Sequence, residues 1–352
     1  MALDLAVIQR FLPPASRGGA GHFSVGLCTA LAGRGHRVTV FSQDPRPPGA
    51  PFDVVQLAGR GRRTAPLTFP AQVARIDVSR FDLVHAQGDE QLLRHRGRPV
   101  VRTLHGSSLD EAVANGVRGL SPKHALLHAW FFKWEVVAAL RADAVVGVSR
   151  AATRHLPRRA DVIPNGIDTA AFAPDGTPKS HAPSILFVGE LDSRKRGRML
   201  VEQFIARVRP RVPGAELWLV SPDRAEGPGV IHVGTLDDAS LRDAYRRAWV
   251  MCLPSAYEGF GRPYVEALAA GTAVAASPNP GALDVLDGGR YGVIAPDAAL
   301  GDALADLLTD PARRTSLADA GPARARQYDW SVVADAYERV YARVLKGQRG
   351  AA

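Results

Sequence analysis

The chain has 352 residues, of which 46% are hydrophobic, a size and composition that suit two packed domains and exclude a disordered protein. The formal net charge of +9 lies in the first half, because residues 1–170 hold 22 Lys and Arg against 13 Asp and Glu, whereas residues 171–352 hold 22 of each. No basic helix is interleaved with stacking aromatic residues, so we do not expect a nucleic-acid partner.

The opening of the chain has the pattern of a β-strand, a helix and a second β-strand. Residues 3–9 are apolar, a segment with helical periodicity follows, and residues 36–41 begin the next strand. Gly18 and Gly19 lie between the first strand and the helix. Open parallel sheets bind their ligands at the carboxyl ends of their strands, so both glycines are candidate binding residues. A plain tight turn is the alternative.

Four further apolar runs predict strands of the same sheet, at residues 52–57, 83–86, 100–104 and 144–149. A long helix with several aromatic residues is predicted for residues 122–140. His105 directly follows one of the strands, so we expect it at the carboxyl edge of the sheet. A lone histidine is more often structural, but this position makes His105 a candidate for contact with a ligand.

A second series of alternating strands and helices begins after residue 183. Residues 173–183 are polar and rich in proline and glycine, so we predict a linker there. Apolar runs predict strands at residues 185–188, 215–220, 229–233, 249–253 and 273–276. The repeated alternation implies a second doubly wound parallel sheet, and the fold class is therefore α/β.

The loop after the first strand of this second sheet is strongly basic. Gly189 is followed, a few residues later, by the consecutive cations Arg194, Lys195 and Arg196. Successive cations after a strand suit a clamp for a diphosphate. We expect Lys195 and Arg194 to contact phosphate, and Gly189 belongs to the same candidate binding set.

The chain is organised around residues 252–274, which combine a strand end, a glycine-containing loop, a helix that begins near Pro263 and a further strand. The backbone amides of Phe260, Gly261 and Arg262 are expected to point outward at the start of this helix. Free amides and the positive end of the helix dipole favour an anion, typically phosphate.

Two glutamates stand on either side of this predicted phosphate cradle, Glu258 before it and Glu266 about one turn into the helix. One carboxylate at each end suits a ligand with hydroxyl groups on both sides of a diphosphate, and a nucleotide sugar is such a ligand. Gly259 and Gly261 let the chain approach the ligand without an intervening Cβ. A capped helix with incidental surface glutamates is the alternative.

These motifs closely resemble the donor-site signature of retaining glycosyltransferases with the two-domain GT-B fold, of the family 4 type. The resemblance rests on residues 255–272, the early double glycine, a Thr-x-His pattern that ends at His105 and a strand-to-linker segment at 161–168. It implies two Rossmann-like domains that face a central cleft. It also implies that Glu258 and His105 contact the donor sugar and that Glu266 forms hydrogen bonds with the ribose hydroxyls.

The resemblance also assigns roles to the early double glycine and to the basic loop that follows Gly189. Gly18 and Gly19 are expected to face the donor diphosphate or the acceptor. Lys195 matches the lysine of the family, but Glu190 stands where the family usually has arginine. We therefore expect Arg194 to replace that arginine.

The same resemblance divides the chain into domains. Residues 1–170 are expected to bind the acceptor, and residues 171–327 are expected to bind the nucleotide sugar. Residues 328–346 contain an amphipathic helix that, in proteins of this fold, crosses back to the first domain.

The expected activity is retaining, metal-independent transfer of a hexose from a nucleotide sugar to a small-molecule, lipid or saccharide acceptor. UDP is the first choice of nucleotide, because it is frequent in the family, and GDP is the second. No Asp-x-Asp motif occurs, which agrees with the expected lack of a metal, and no cofactor is expected beyond the co-substrate. Two alternatives are a nucleotide-sugar epimerase of the same fold and a non-catalytic protein that binds nucleotide sugars.

Charge and cysteine content bear on the partners and the compartment. The excess positive charge of the first half suits an anionic acceptor; a basic surface without a partner is an alternative, and weak attraction to an anionic membrane is less favoured. Cys28 and Cys252 lie in apolar segments, and the first 12 residues lack a leader pattern, so we expect a cytoplasmic protein with free thiols. The abundance of Ala and Arg suits a GC-rich bacterial genome, so bacterial natural-product or cell-envelope biosynthesis is the expected setting.

Overall fold

The computed structural model of the protein describes residues 2–14, 19–59, 65–94, 97–110, 113 and 122–347. Within it, the chain divides into two compact units. The first unit consists of Met1–Gly166 together with Trp330–Ala352, and the second consists of Ile167–Asp329. Gly18, one of the predicted binding glycines, lies outside the described residues.

The first unit is built on a parallel sheet. Its described strands are β1 (Asp4–Ile8), β2 (Arg37–Ser42), β3 (Asp53–Gln56), β4 (Leu83–Ala86), β5 (Val100–Leu104), β6 (Ala144–Gly147) and β7 (Asp161–Val162). They are arranged in the order β3-β2-β1-β4-β5-β6-β7. Leu5 of β1 pairs with Val38 on one side and with Leu83 on the other, so the strand order reverses between β1 and β4.

The helices of this unit flank the sheet. Those that the structure describes before the second unit are α1 (Gly19–Gly33), α2 (Ala65–Val73), α3 (Pro122–Arg141) and α4 (Arg150–Thr153). Ser149 caps α4, because its side chain accepts a hydrogen bond from the amide of Ala152 at 3.2 Å. Helix α2 was not predicted, because it contains Pro70 and the sequence lacks a clear helical period there.

The aromatic residues of α3 do not share one buried face. Trp130 is 49% exposed, and its ring lies 5.8 Å from that of Trp134 in a T-shaped arrangement. The Lys133 ammonium lies 5.7 Å from the Trp130 ring. Of the helices that the structure describes, none combines the length and the apolar character that a membrane crossing requires.

The second unit repeats the same design. Its described strands are β8 (Ser184–Val188), β9 (Glu216–Val220), β10 (Val230–His232), β11 (Val250–Leu253), β12 (Ala273–Ala276) and β13 (Val293–Ile294), in the order β10-β9-β8-β11-β12-β13. Every pairing is parallel, for example Ile185 of β8 with Leu217 of β9 and with Val250 of β11. The predicted α/β class with two doubly wound parallel sheets is therefore confirmed.

The helices of the second unit connect and flank these strands. In chain order, the described ones are α5 (Thr169–Phe172), α6 (Gly197–Gln203), α7 (Arg209–Arg211), α8 (Asp238–Arg247), α9 (Arg262–Ala269), α10 (Pro280–Val285), α11 (Asp297–Thr309) and α12 (Pro311–Ala325). A π-helical segment, Phe204–Val208, joins α6 to α7.

The proline-rich segment 173–183, predicted as a linker, packs on the second unit. Lys179 Nζ donates hydrogen bonds to the carbonyl of Ala248 at 2.9 Å and to that of Gly271 at 3.1 Å. The amide of Ser180 donates to the carbonyl of Arg247 at 2.9 Å. The chain instead passes from one unit to the other next to Gly166 and again next to Trp330.

The terminal helix, α13 (Trp330–Leu345), is part of the first unit. One face of α13 joins the buried core of that unit, through Val333, Ala334, Tyr337, Val340, Tyr341 and Val344. Tyr337 packs against Phe23 of α1 with ring centroids 6.0 Å apart. Gly26 lies on α1 beneath Trp330, and a Cβ at Gly26 would stand only 2.0 Å from the indole ring.

Replacement of Gly26 by alanine should therefore destabilise the first unit. The added methyl group cannot fit beside Trp330 unless the helices shift, and overpacking of this kind costs about 1–3 kcal/mol. Urea unfolding should show a lower midpoint than in the wild type. Gly33→Ala, in the same helix, is the matched control, because a Cβ at Gly33 would have no neighbouring heavy atom within 4 Å. Equal midpoints in the two variants would contradict the packing of α13 on α1.

Candidate functional site

Two loops leave the second sheet where its strand order reverses. The basic loop, residues 189–196, follows β8, and the glycine loop, residues 254–261, follows β11. The crevice beyond the carboxyl ends of the strands at such a reversal is the usual ligand-binding position in open α/β sheets. The loops contact each other, since the amide of Ala256 donates to the carbonyl of Arg194 at 2.9 Å.

Lys195 lies in the basic loop and reaches back to the end of β8. Its Nζ donates a hydrogen bond to the carbonyl of Val188 at 3.0 Å. A Cβ at Gly189 would lie 2.3 Å from Lys195 Cδ, so glycine at this position leaves the space that the lysine occupies. Burial lowers the pKa of Lys195, and the negative charges of Glu258 and Glu266 oppose that effect. Lys195 is therefore a half-buried cation with two carboxylates nearby.

Glu258 is buried in the glycine loop, with 5% of its surface exposed. Its Oε1 accepts a hydrogen bond from Ser255 Oγ at 2.9 Å and lies 2.5 Å from Nη1 of Arg194. The same Arg194 nitrogen donates to the carbonyl of Tyr257 at 2.8 Å. The ion pair joins the basic loop to the glycine loop and orients both side chains.

Helix α9 begins directly after the glycine loop, and its first amides lie at the end where a helix offers them no intrahelical partner. Gly261 stands at the N-cap with φ of 89° and ψ of 58°, a left-handed conformation that favours glycine. In the described part of the chain, the amides of Phe260, Gly261 and Arg262 donate no backbone hydrogen bond. A Cβ at Gly281 would lie 2.5 Å from the Phe260 carbonyl, so glycine at residue 281 allows α10 to support the loop closely.

Glu266 lies in the first turns of α9 and is also buried. Its Oε2 accepts a hydrogen bond from Oη of Tyr245 at 2.9 Å, and its Oε1 lies 3.2 Å from Nη2 of Arg262. Tyr245 belongs to α8 and is fully buried. The two contacts hold the carboxylate in one orientation and shield part of its charge.

These residues together form a site with cations, free amides and carboxylates around one sheet edge. Lys195, Arg194 and the first amides of α9 supply positive charge for an anion such as a phosphate. Glu258 and Glu266 supply acceptors for hydroxyl groups. Glu190, at the position where arginine was expected, is exposed. In the part of the chain that the structure describes, no group of three or more His, Cys, Asp or Glu side chains could hold a metal ion.

In the first unit, His105 directly follows β5. Its Nε2 lies 2.7 Å from Oε1 of Gln87, which follows β4, and its ring packs edge-on against Phe23 at 4.9 Å. Burial, with a smaller contribution from the Arg102 charge, lowers the pKa of His105 to about 4. Gly19 is the exposed first residue of α1.

Sequence reasoning missed three side chains that support these groups. Gln87 follows a strand at the reversal point of the first sheet, so the argument used for His105 could have found it. His85 and Tyr245 have no such local signal, because each belongs to an element that also needs buried residues for packing. Their roles depend on partners far along the chain.

Two models of protein families match the chain. Residues 182–310 match the model described as "Glycosyl transferases group 1". Residues 17–171 match the model described as "Glycosyltransferase Family 4". The two matches cover the greater part of both units.

Characterised relatives are similar over almost the whole chain. The phosphatidyl-myo-inositol mannosyltransferase of Mycobacterium tuberculosis (strain ATCC 25618 / H37Rv) is 30% identical, over 92% of this chain and 93% of that protein. The D-inositol 3-phosphate glycosyltransferase of Kineococcus radiotolerans is 29% identical, over 95% of this chain and 93% of that protein.

Solved structures are similar as well. Sucrose-phosphate synthase from Thermosynechococcus elongatus has a TM-score of 0.81 and 23% identity, over 98% of this chain and all of that chain. WaaG, a glycosyltransferase involved in lipopolysaccharide biosynthesis, has a TM-score of 0.73 and 18% identity, over 97% of this chain and all of that chain.

Proposed function

The chain belongs to glycosyltransferase family 4, the group 1 glycosyl transferases, and from this membership we propose that it transfers a hexose from a nucleotide sugar with retention of anomeric configuration. Its fold is GT-B, with two doubly wound parallel sheets. The observation that carries the proposal is the grouping of Lys195, Arg194, Glu258 and Glu266 around the free amides of α9.

We propose that the second unit binds the donor. Lys195, Arg194 and the first amides of α9 contact the diphosphate, because they supply the positive charge at the sheet edge. Glu266 accepts hydrogen bonds from the ribose hydroxyls, and Glu258 orients the sugar. UDP is the proposed nucleotide, with GDP as the second choice.

The acceptor is proposed to be anionic and to bind the first unit. All of the excess positive charge lies in residues 1–170. The names of two relatives, a phosphatidyl-myo-inositol mannosyltransferase and a D-inositol 3-phosphate glycosyltransferase, both include a phosphate-bearing inositol. A phosphorylated polyol or its lipid is therefore the acceptor class to test first.

The proposed reaction needs neither a metal nor a protein base. The bond between the anomeric carbon and the diphosphate breaks while the acceptor oxygen bonds to the same face of the sugar. The proton of the acceptor hydroxyl passes to the departing phosphate oxygen. Lys195 and Arg194 stabilise the negative charge that develops on the diphosphate, as preorganised cations do at other phosphoryl leaving groups.

The test is a transfer assay with matched substrates. The protein is incubated with UDP-glucose, UDP-N-acetylglucosamine or GDP-mannose, and with phosphatidylinositol, inositol 3-phosphate or unphosphorylated inositol, with and without EDTA. Products are identified by mass spectrometry, and the anomeric configuration is read by NMR. We expect one donor to be preferred, a phosphorylated acceptor to exceed inositol, retention at the anomeric carbon and no loss with EDTA.

Other outcomes identify the alternatives. An isomerised sugar without any acceptor would indicate an epimerase, and tight binding without turnover would indicate a non-catalytic binding protein. Inversion at the anomeric carbon would contradict the retaining mechanism. Equal transfer to inositol and its phosphate would contradict the anionic acceptor but not the transferase activity.

A further inference from the structure

We propose that Gln87 and His85 are positioning residues that hold His105 as a neutral imidazole with its proton on Nε2, so that Nδ1 accepts a hydrogen bond from a substrate hydroxyl group. The identity of the substrate rests on the proposed function, whereas the position of the proton does not. The argument depends on a chain of hydrogen bonds within the first unit.

The chain of hydrogen bonds begins at His85, which is fully buried in β4. Its Nδ1 lies 2.7 Å from Oη of Tyr341, on α13. Its Nε2 lies 2.8 Å from Oγ1 of Thr103 and 3.1 Å from Nε2 of Gln87. The amide nitrogen of Gln87 can only donate, so Nε2 of His85 accepts and its proton lies on Nδ1.

The orientation of the Gln87 amide also determines which nitrogen of His105 carries the proton. Because its amide nitrogen is directed at His85, its oxygen Oε1 faces Nε2 of His105 at 2.7 Å. An amide oxygen can only accept, so Nε2 of His105 carries the proton. Thr103 then donates to His85 and accepts from Oη of Tyr337, which lies 2.9 Å away. Each of these hydrogen bonds then joins a donor to an acceptor, and Nε2 of His85 shares its single lone pair between Thr103 and Gln87.

The surroundings keep both histidines neutral. Burial lowers the pKa of His85 to about 3 and that of His105 to about 4. The charge of Arg102, on β5 next to His105, acts in the same direction, and Arg102 is itself paired with the buried Glu90. Among the described residues, Phe23 of α1 and Tyr337 and Tyr341 of α13 pack their aromatic rings against the two histidines.

Among the described residues, no group forms a hydrogen bond with Nδ1 of His105, at the end of this network. This nitrogen atom is buried. A lone pair in this position accepts a hydrogen bond from a hydroxyl group and repels a carboxylate or phosphate oxygen. We therefore expect a hydroxyl group of the bound substrate, and not a carboxylate or phosphate group, beside Nδ1 of His105.

The first test reads the proton position directly. Long-range nitrogen–proton NMR spectra of the whole protein with ¹⁵N-labelled histidine, without substrate, distinguish the two neutral forms. The His105 signal is assigned from its loss in His105→Gln. We expect a protonated Nε2 and a bare Nδ1 at pH 7. Protonation on Nδ1, or on both nitrogens, would overturn the proposal.

The second test is the pH profile of transfer in Gln87→Glu. A carboxylate beside His105 raises the histidine pKa, so the ring becomes protonated towards neutral pH and loses its acceptor. A neighbouring carboxylate can raise the His105 pKa from about 4 to about 7, so we expect kcat/KM at pH 6.5 to fall up to about fourfold below its value at pH 8.5, a change that the wild type should not show. Gln56→Glu, at an exposed position of the same unit, is the charge-matched control.

The two tests separate this proposal from the proposed function. A loss of transfer in Gln87→Glu that is equal at every pH would mean that Gln87 serves packing alone, and the positioning role would be wrong. A protein with the predicted proton position that transfers sugar from no nucleotide sugar would support the positioning network and contradict the proposed function.

Discussion

Replacement of Lys195 by methionine should lower kcat for sugar transfer by a factor of about 10²–10³, because one preorganised group that stabilises developing charge is worth about that much. Methionine keeps the apolar chain that fills the space beside Gly189 but removes the charge. The thermal midpoint should stay near that of the wild type. The measurements are kcat, KM and Tm of the purified variant with the preferred donor and acceptor.

Lys179 provides the matched control in the same unit. Its ammonium donates to the carbonyls of Ala248 and Gly271 and to Thr272 Oγ1 at 2.9 Å, and none of these groups belongs to the proposed donor site. Lys179→Met should lower Tm by a few degrees and leave kcat unchanged. If both lysine variants lose stability and activity in the same proportion, Lys195 is structural and the proposed phosphate contact is wrong.

Replacement of Glu266 by alanine should weaken nucleotide binding by about 10- to 150-fold. A charge-assisted hydrogen bond contributes about 1.5–3 kcal/mol, which corresponds to this range of affinity. Tyr245→Phe removes only the donor to Glu266 Oε2, so its effect should be smaller. Calorimetry with UDP, GDP, ADP, dTDP and CDP measures both variants against the wild type.

Comparison of UDP with dUDP tests the contact between Glu266 and the ribose directly. dUDP lacks the 2′-hydroxyl of UDP, so the wild type should bind dUDP more weakly, and Glu266→Ala should reduce the difference between the two. Glu202→Gln, on the exposed side of α6, is the control for charge loss in the second unit. Equal binding of all nucleotides, unchanged in Glu266→Ala, would contradict the donor site and with it the transferase proposal.

The strands and the two loops of the second unit could be predicted because their signals are local. Buried parallel strands appear as short apolar runs, and β4, β5 and β12 begin and end where those runs do. Glycine and proline mark the glycine loop and the start of α9. The strand orders place those loops together, since doubly wound sheets reverse at a predictable strand.

The hydrogen bonds around His105 and around Glu266 could not be predicted in the same way. His85 binds Tyr341, a residue 256 positions further along the chain, and Tyr245 binds Glu266 across 21 positions. Neither contact leaves a periodic pattern, because each depends on how distant elements pack. The linker prediction for segment 173–183 differs from the structure for a related reason. Its proline-rich composition is typical of a linker, but Lys179 and Ser180 form hydrogen bonds with residues far along the chain in the second unit.

The position of α13 in the core of the first unit has a consequence for synthesis of the chain on the ribosome. The second unit is one uninterrupted stretch, Ile167–Asp329, whereas the first needs residues from both sides of it. The side chains that complete the first core, Tyr337 and Tyr341 among them, emerge only after the entire second unit has been translated. The unit that begins first is therefore the one that is completed last. Until α13 has been synthesised, the apolar face of α1 that packs against it stays uncovered.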